Sequence, residues 1–230
     1  MNEATANCAR CPYKTIDRLC RSEDGKAPEN CPTRNVPEMT ERCLEEYRQR
    51  SEILEFARQA AIQEAEGYTD RSSGFARVRA SKSRIEEIMA FSEKMHFHRL
   101  GLAFCIGLAR EAKVVEGILS AGGFEMVSVV CKVGRISKES IGAGKEAQIA
   151  PDLEEAMCNP IQQAMILNRE RTDFNVLLGL CVGHDSLFLQ YARAPCTILA
   201  VKDRLLGHNP LAAVYTANSY YRCLNASNSV

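Results

Sequence analysis

The sequence contains no tryptophan, no excess of either charge sign and no apolar run approaching the ~18 residues of a membrane-spanning helix. Each absence removes a class of function. Basic and acidic residues number 29 each, so no net field draws the chain onto nucleic acid or an anionic membrane. No basic–aromatic surface suggests a nucleic-acid partner, and without tryptophan the commonest interface anchor is missing. The polar N-terminal stretch carries no apolar signal region, so the expected location is the cytoplasm. No Gly-x-Gly-x-x-Gly follows the first apolar run, and there is no Walker loop, Gly-x-Ser-x-Gly or His-Glu-x-x-His. Nucleotide and serine-hydrolase chemistry therefore have nothing to rest on.

What the sequence does have is cysteine, 11 residues of it. The odd count and the lack of an export signal argue against a disulfide framework. In a reducing compartment, closely spaced cysteines point to metal ligands or catalytic thiols.

The cysteines fall into two groups. Cys8, Cys11, Cys20 and Cys31 lie among charges, Gly25, Pro28 and Pro32 in a stretch, 1–36, too poor in apolar residues to form its own core. Cys8-x2-Cys11 is a chelating pair, and four thiolates suit tetrahedral zinc or a [4Fe–4S] cluster. The intervening spacings, two, eight and ten residues, match neither a zinc ribbon nor a ferredoxin run. Residues 1–36 are thus expected to be a metal-binding module, 37–95 a helical segment and 96–230 an α/β core domain.

Pro37 suits a helix first turn, and Leu44, Tyr47, Ile53, Leu54, Phe56, Ala57, Ala60 and Ala61 extend an apolar stripe to about Glu66. A loop over 68–80 and a second helix over 82–94 follow. Beyond them, apolar runs at 100–105, 124–131, 174–181 and 196–201 alternate with helical stretches, including Pro160 to Arg169. Asn209 and Pro210 read as the start of a last helix. Almost wholly apolar strands alternating with helices predict an α/β fold, a mostly four-stranded parallel sheet with helices on both faces.

In such a sheet the strand carboxyl ends share one edge, where functional groups collect. Cys105, Cys131 and Cys181 each end an apolar run, and Cys158 stands just outside the N-terminus of the helix at Pro160. Four thiols therefore converge on one edge, where a helix dipole favours the thiolate. A weak internal repeat pairs Cys105-Ile106-Gly107 with Cys181-Val182-Gly183, and Cys158-Asn159-Pro160 with His208-Asn209-Pro210. It places His208 at the same edge as a further ligand. His184, Asp185, Lys202 and Arg204 follow strands on that rim and are candidate catalytic groups, to supply protons and bind a small anionic substrate. Each also has a plainer reading: Asp185 as a helix cap, His184 as a hydrogen-bonded structural residue, Lys202 and Arg204 as a solvated turn. Cys196 begins its strand at the opposite edge and is expected to pack, as are Cys43 and Cys223 unless they lie at the surface; His96 and His98 are read as structural.

The strings Cys8-Ala9-Arg10-Cys11, Phe104-Cys105-Ile106-Gly107-Leu108-Ala109, Cys158-Asn159-Pro160, Gly179-Leu180-Cys181-Val182-Gly183-His184-Asp185-Ser186 and Val201-Lys202-Asp203-Arg204 carry a resemblance. Together with Gly207-His208-Asn209-Pro210 they resemble a prokaryotic family of cysteine-rich, predicted metal-binding proteins of unknown function. The resemblance implies a metal site and a cytoplasmic setting, and no reaction.

Three readings stay open. In the first, an enzyme holds zinc or a [4Fe–4S] cluster on the core thiols and acts on a small molecule by redox, sulfur or hydrolytic chemistry. In the second, the thiols carry or sense a metal or cluster. In the third, zinc staples the N-terminal arm and the core cysteines only pack. Ligands spread over four loops suit a cluster; the N-terminal module suits zinc.

Overall fold

The structure is a computed structural model that describes residues 5–152 and 154–225. The first four residues of the expected N-terminal module lie outside the described residues. The chain divides into two compact units, 1–62 and 63–230.

The first unit opens with short 3-10 turns at Cys8–Arg10 and Thr15–Asp17 and continues into α1 (Pro32–Asn35), α2 (Pro37–Gln49) and the start of α3 (Ser51–Glu66). None of the described residues 5–62 is buried. Polar links take the place of a core: Lys26 N donates to Asp17 O at 2.7 Å, and the Arg34 guanidinium reaches the carbonyls of Ala27 and Pro28. Gly25 permits this folding back, because a Cβ there would strike the backbone of Arg18 and Leu19. The single helix expected over 37–66 is two. The chain turns extended at Arg50 (φ −124°, ψ 93°) and restarts at Ser51, with Glu52 in the new first turn where the helix dipole favours a carboxylate.

The second unit contains a short antiparallel pair, β1 (Tyr68–Thr69) and β2 (Arg79–Ala80), in the stretch read as loop. Then come α4 (Arg84–Lys94), β3 (Arg99–Phe104), α5 (Ala109–Ala121), β4 (Glu125–Val130), α6 (Pro160–Arg169), β5 (Phe174–Leu178), α7 (His184–Tyr191), β6 (Cys196–Ala200) and α8 (Leu211–Tyr215). Ser83 and Glu86 form a capping box that starts α4. The last helix begins one residue later than expected, with Pro210 as its cap.

The four long strands make one parallel sheet in the order β4-β3-β5-β6. Helices cover both faces. Ala164 and Leu167 of α6 and Phe188 of α7 pack with Ala103 and Leu177 on one face. On the other, Phe91 of α4 lies 5.7 Å from the Phe174 ring, and Phe104 meets Ala109 and Ala112 at the start of α5. Leu100, Leu102, Ala103 and Val176 are fully buried, which is why these strands read as continuous apolar runs. The α/β fold with a four-stranded parallel sheet is as the sequence predicts. Among the described residues, no helix is long and apolar enough to cross a membrane.

Candidate functional site

The sheet sets the cysteine positions through the backbone. The Cys105 amide donates to Leu178 O at 3.1 Å and the Cys131 amide to Phe104 O at 2.8 Å, so each thiol leaves the sheet one residue beyond the last paired position. Asn159 caps α6 by accepting from Gln162 N, and its own amide donates to Cys131 O at 2.7 Å. This brings Cys158 back beside Cys131 although residues 132–157 intervene. The buried Gln163 side chain donates to Val129 O (2.7 Å) and Phe104 O (3.2 Å), clamping the ends of β3 and β4 immediately before their cysteines. Gly179, at φ +66°, turns the chain after β5 towards Cys181, and a Cβ there would strike Leu108.

Three thiols come together as a result. The Cys131 and Cys158 sulfurs are 3.6 Å apart, the Ile106 amide donates to Cys131 Sγ at 3.3 Å, and Cys131 faces Cys105 closely enough to share a proton. Their titrations are linked. The hydrogen bond from Cys131 lowers Cys105 against the opposing effect of burial, with help from the Gly107 amide and Lys202. Cys158 is also lowered, first by its contact with Cys131 and then by Lys132 and His184, against the opposing effect of burial. Cys131, pressed between two partners that take the negative charge first, is raised.

Cys105 and Cys158 open onto a cleft of about 1040 Å³. Cys181, His184, Lys202, Arg204 and His208 line it too, so the structure gathers at this edge most of the groups the sequence assigned there. Cys181 stands apart from the triad and accepts from Arg204 at 3.1 Å. Lys202 lies against Cys105. His208 accepts from the Asp203 amide through Nδ1, leaving Nε2 to carry the proton. Asp185 does not line the cleft: its carboxylate accepts from the Ser186 amide, and it borders a small depression beside Leu177 and Ile198. The outer wall comes from residues 138–150 and 154–157, anchored by Glu155, which binds the Ile149 amide at 2.8 Å, Lys138 at 3.1 Å and Lys132 at 3.4 Å. The Ile149 amide and then Lys138 pull the Glu155 carboxyl down to about 2. Gln163, Ile106 N and Glu155 all shape the site. None of them carries a motif that sequence reasoning could have found.

In the first unit, Cys8, Cys11, Cys20 and Cys31 all line one small cavity of about 40 Å³. Cys8 and Cys11 flank a single 3-10 turn, with Cys11 N donating to Cys8 O. Cys31 precedes α1; burial pushes its thiol up, but amides of Arg34 and Thr33 bring it below its ordinary value. Among the described residues, no three His, Cys, Asp or Glu side chains stand, as placed, in an arrangement that could hold a metal ion. Cys43 and Cys223 are exposed, and Cys196 lies at the opposite sheet edge, where burial raises its thiol.

Residues 31–199 match the model of the family described as Protein of unknown function (DUF1847). The chain belongs to that family. It is also similar to the Uncharacterized protein MJ0455 of Methanocaldococcus jannaschii, 44% identical over 184 residues that cover 80% of this chain and 86% of that protein. The DUF1847 match takes in Cys31, the four sheet-edge cysteines and His184. It leaves out Cys8, Cys11 and Cys20 at one end and Lys202, Arg204 and His208 at the other.

Proposed function

We propose that this chain is a cytoplasmic thiolate metal protein with two sites: a structural zinc on Cys8, Cys11, Cys20 and Cys31, and a reactive one on Cys105, Cys131 and Cys158. The observation that carries the reading is the 3.6 Å contact between Cys131 and Cys158, with Cys105 on the other side of Cys131. Thiolates on one tetrahedral zinc, each with a bond of ~2.3 Å, stand about 3.8 Å apart. Thiolates on separate irons of a cubane cluster stand well beyond contact. The spacing of this one pair therefore suits a single ion better than two irons of a cluster, and Cys105, on the far side of Cys131, has to move in to join it.

Cys105, Cys131 and Cys158 would hold the ion at the cleft, where it would supply Lewis acidity. Lys202 and Arg204 supply positive charge for a small anionic substrate, and His184 and His208 bring imidazole groups to the same cleft. Cys181, turned to Arg204, is the available fourth ligand if the ion is instead held for transfer. In the N-terminal module the support is the shared cavity and the lack of any buried residue around it; the thiols have to turn inward onto the ion. All eleven cysteines are free, as suits a reducing compartment.

Metal analysis and a visible spectrum on protein prepared without oxygen test this. The expected result is a colourless protein with about two zinc ions per chain, falling by one in Cys131→Ser. Broad absorbance at about 400 nm replaces zinc by a cluster. Metal content unchanged in Cys131→Ser removes the core site from the proposal.

A further inference from the structure

The three clustered sulfurs differ in access. Cys158 is partly exposed on the cleft, Cys105 is 9% exposed, and Cys131 sits behind them at 2%. Thiol–disulfide exchange needs this division: an accessible thiolate that attacks and a second thiol within reach of the mixed disulfide. A disulfide bond is about 2.05 Å long, so closing the 3.6 Å contact takes a movement of about 1.5 Å.

The geometry points to Cys158 and Cys131 as a dithiol pair that reduces small anionic disulfides in the cleft. In the first step the Cys158 thiolate attacks one sulfur of the substrate, RSSR. A Cys158–S–S–R bond forms, the substrate S–S bond breaks, and RS⁻ leaves. In the second, the Cys131 sulfur attacks Cys158 and its proton goes to the departing sulfur. The Cys131–Cys158 bond forms, the Cys158–S–R bond breaks and RSH leaves. Overall the substrate gains two electrons and the protein loses two. The Ile106 amide, 3.3 Å from Cys131 Sγ, is placed to stabilise the thiolate that resolves.

The choice of an anionic substrate rests on the cleft. Lys132, Lys138, Lys202 and Arg204 face two carboxylates, Glu154 and Glu155, a formal excess of two positive charges. Glu155 engages Lys132 and Lys138, which leaves Lys202 and Arg204 beside the sulfurs. Ile106, Ile141, Ile149 and Met157 give an apolar wall for the body of the molecule. The inference goes beyond the metal reading and stands without it, because the pair is defined by the sulfur contact alone.

The test treats the full-length reduced chain with glutathione disulfide or with cationic cystamine, then maps cysteines by alkylation and mass spectrometry. After chelation, wild type is expected to carry glutathione on Cys158 transiently and then a Cys131–Cys158 disulfide. Cys131→Ser stops at the mixed disulfide, and Cys158→Ser leaves Cys131 reduced. A Lys202→Gln, Arg204→Gln double variant lowers the rate ratio of glutathione disulfide to cystamine by about tenfold. The wild-type time course decides the matter even if a variant fails to fold. A stable mixed disulfide on wild-type Cys158, an untouched Cys158, or a Cys158–Cys181 pair overturns the inference. Zinc content of the same samples is a separate readout: zinc-free protein that forms the pair sinks only the metal reading, and zinc protein that never forms it after chelation sinks only this one.

Discussion

The two cysteine groups are built by opposite means. The N-terminal four lie within 24 consecutive residues, 8–31, and share a cavity that no buried residue supports. The sheet-edge thiols are far apart in sequence and are brought together by strand ends, a helix cap and the Gln163 clamp. One group has no buried residue to order it, while the other is held ready by a hydrophobic core. Pre-organisation of the second kind suits reactivity, because the sulfurs keep their spacing whether or not anything is bound.

The sharpest way to break this comparison is to treat the protein with a chelator, which removes the metal proposed above. Chelation is expected to abolish amide-exchange protection across residues 5–36 while β3 and β5 stay protected, as read by hydrogen exchange with mass spectrometry. Loss of protection in both units together sinks the contrast. Next in size is the clamp. Gln163→Leu takes a donor from the Val129 carbonyl and is expected to cost about 1–3 kcal/mol in denaturant unfolding. It should also slow formation of the Cys131–Cys158 disulfide, whereas a substitution at exposed Met165 on the same helix should do neither.

Gly179→Ala is expected to cost at least about 1–2 kcal/mol, because alanine meets both the left-handed backbone and Leu108. Thermal unfolding measures it; a neutral result removes the strain argument. The smallest effect concerns Glu155. Its carboxyl is held at about 2 against an ordinary 4.5, so it stabilises the cleft wall fully above about 4.5 and loses that contribution as pH falls towards 2. Stability followed through that window is expected to fall in wild type, with a shallower slope in Glu155→Gln.

The sheet was legible because its strands are buried on both faces and so appear as uninterrupted apolar runs; α6 was legible from Asn159-Pro160 at its start. The break at Arg50 was not, since neither glycine nor proline marks it, and two-residue β1 and β2 are too short to show a period. The shared edge of Cys105, Cys131 and Cys158 followed from topology. The 3.6 Å contact did not, because it depends on one amide of Asn159 meeting one carbonyl of Cys131. Asp185, a catalytic candidate in the sequence, borders the depression beside Leu177 and Ile198 while its neighbour His184 lines the cleft, because a helix start sends neighbouring side chains in different directions.

That same amide has a wider consequence. The excursion over residues 132–157 leaves the sheet at Cys131 and returns to be fastened at its base, Asn159 N to Cys131 O at 2.7 Å. For a loop closed in this way, changing its length alters the closure free energy only logarithmically. The apolar wall of the cleft, Ile141, Ile149 and Met157, is thus borne by a segment fastened beside the sulfurs, while its positive charge, Lys202 and Arg204, arrives separately from beyond β6.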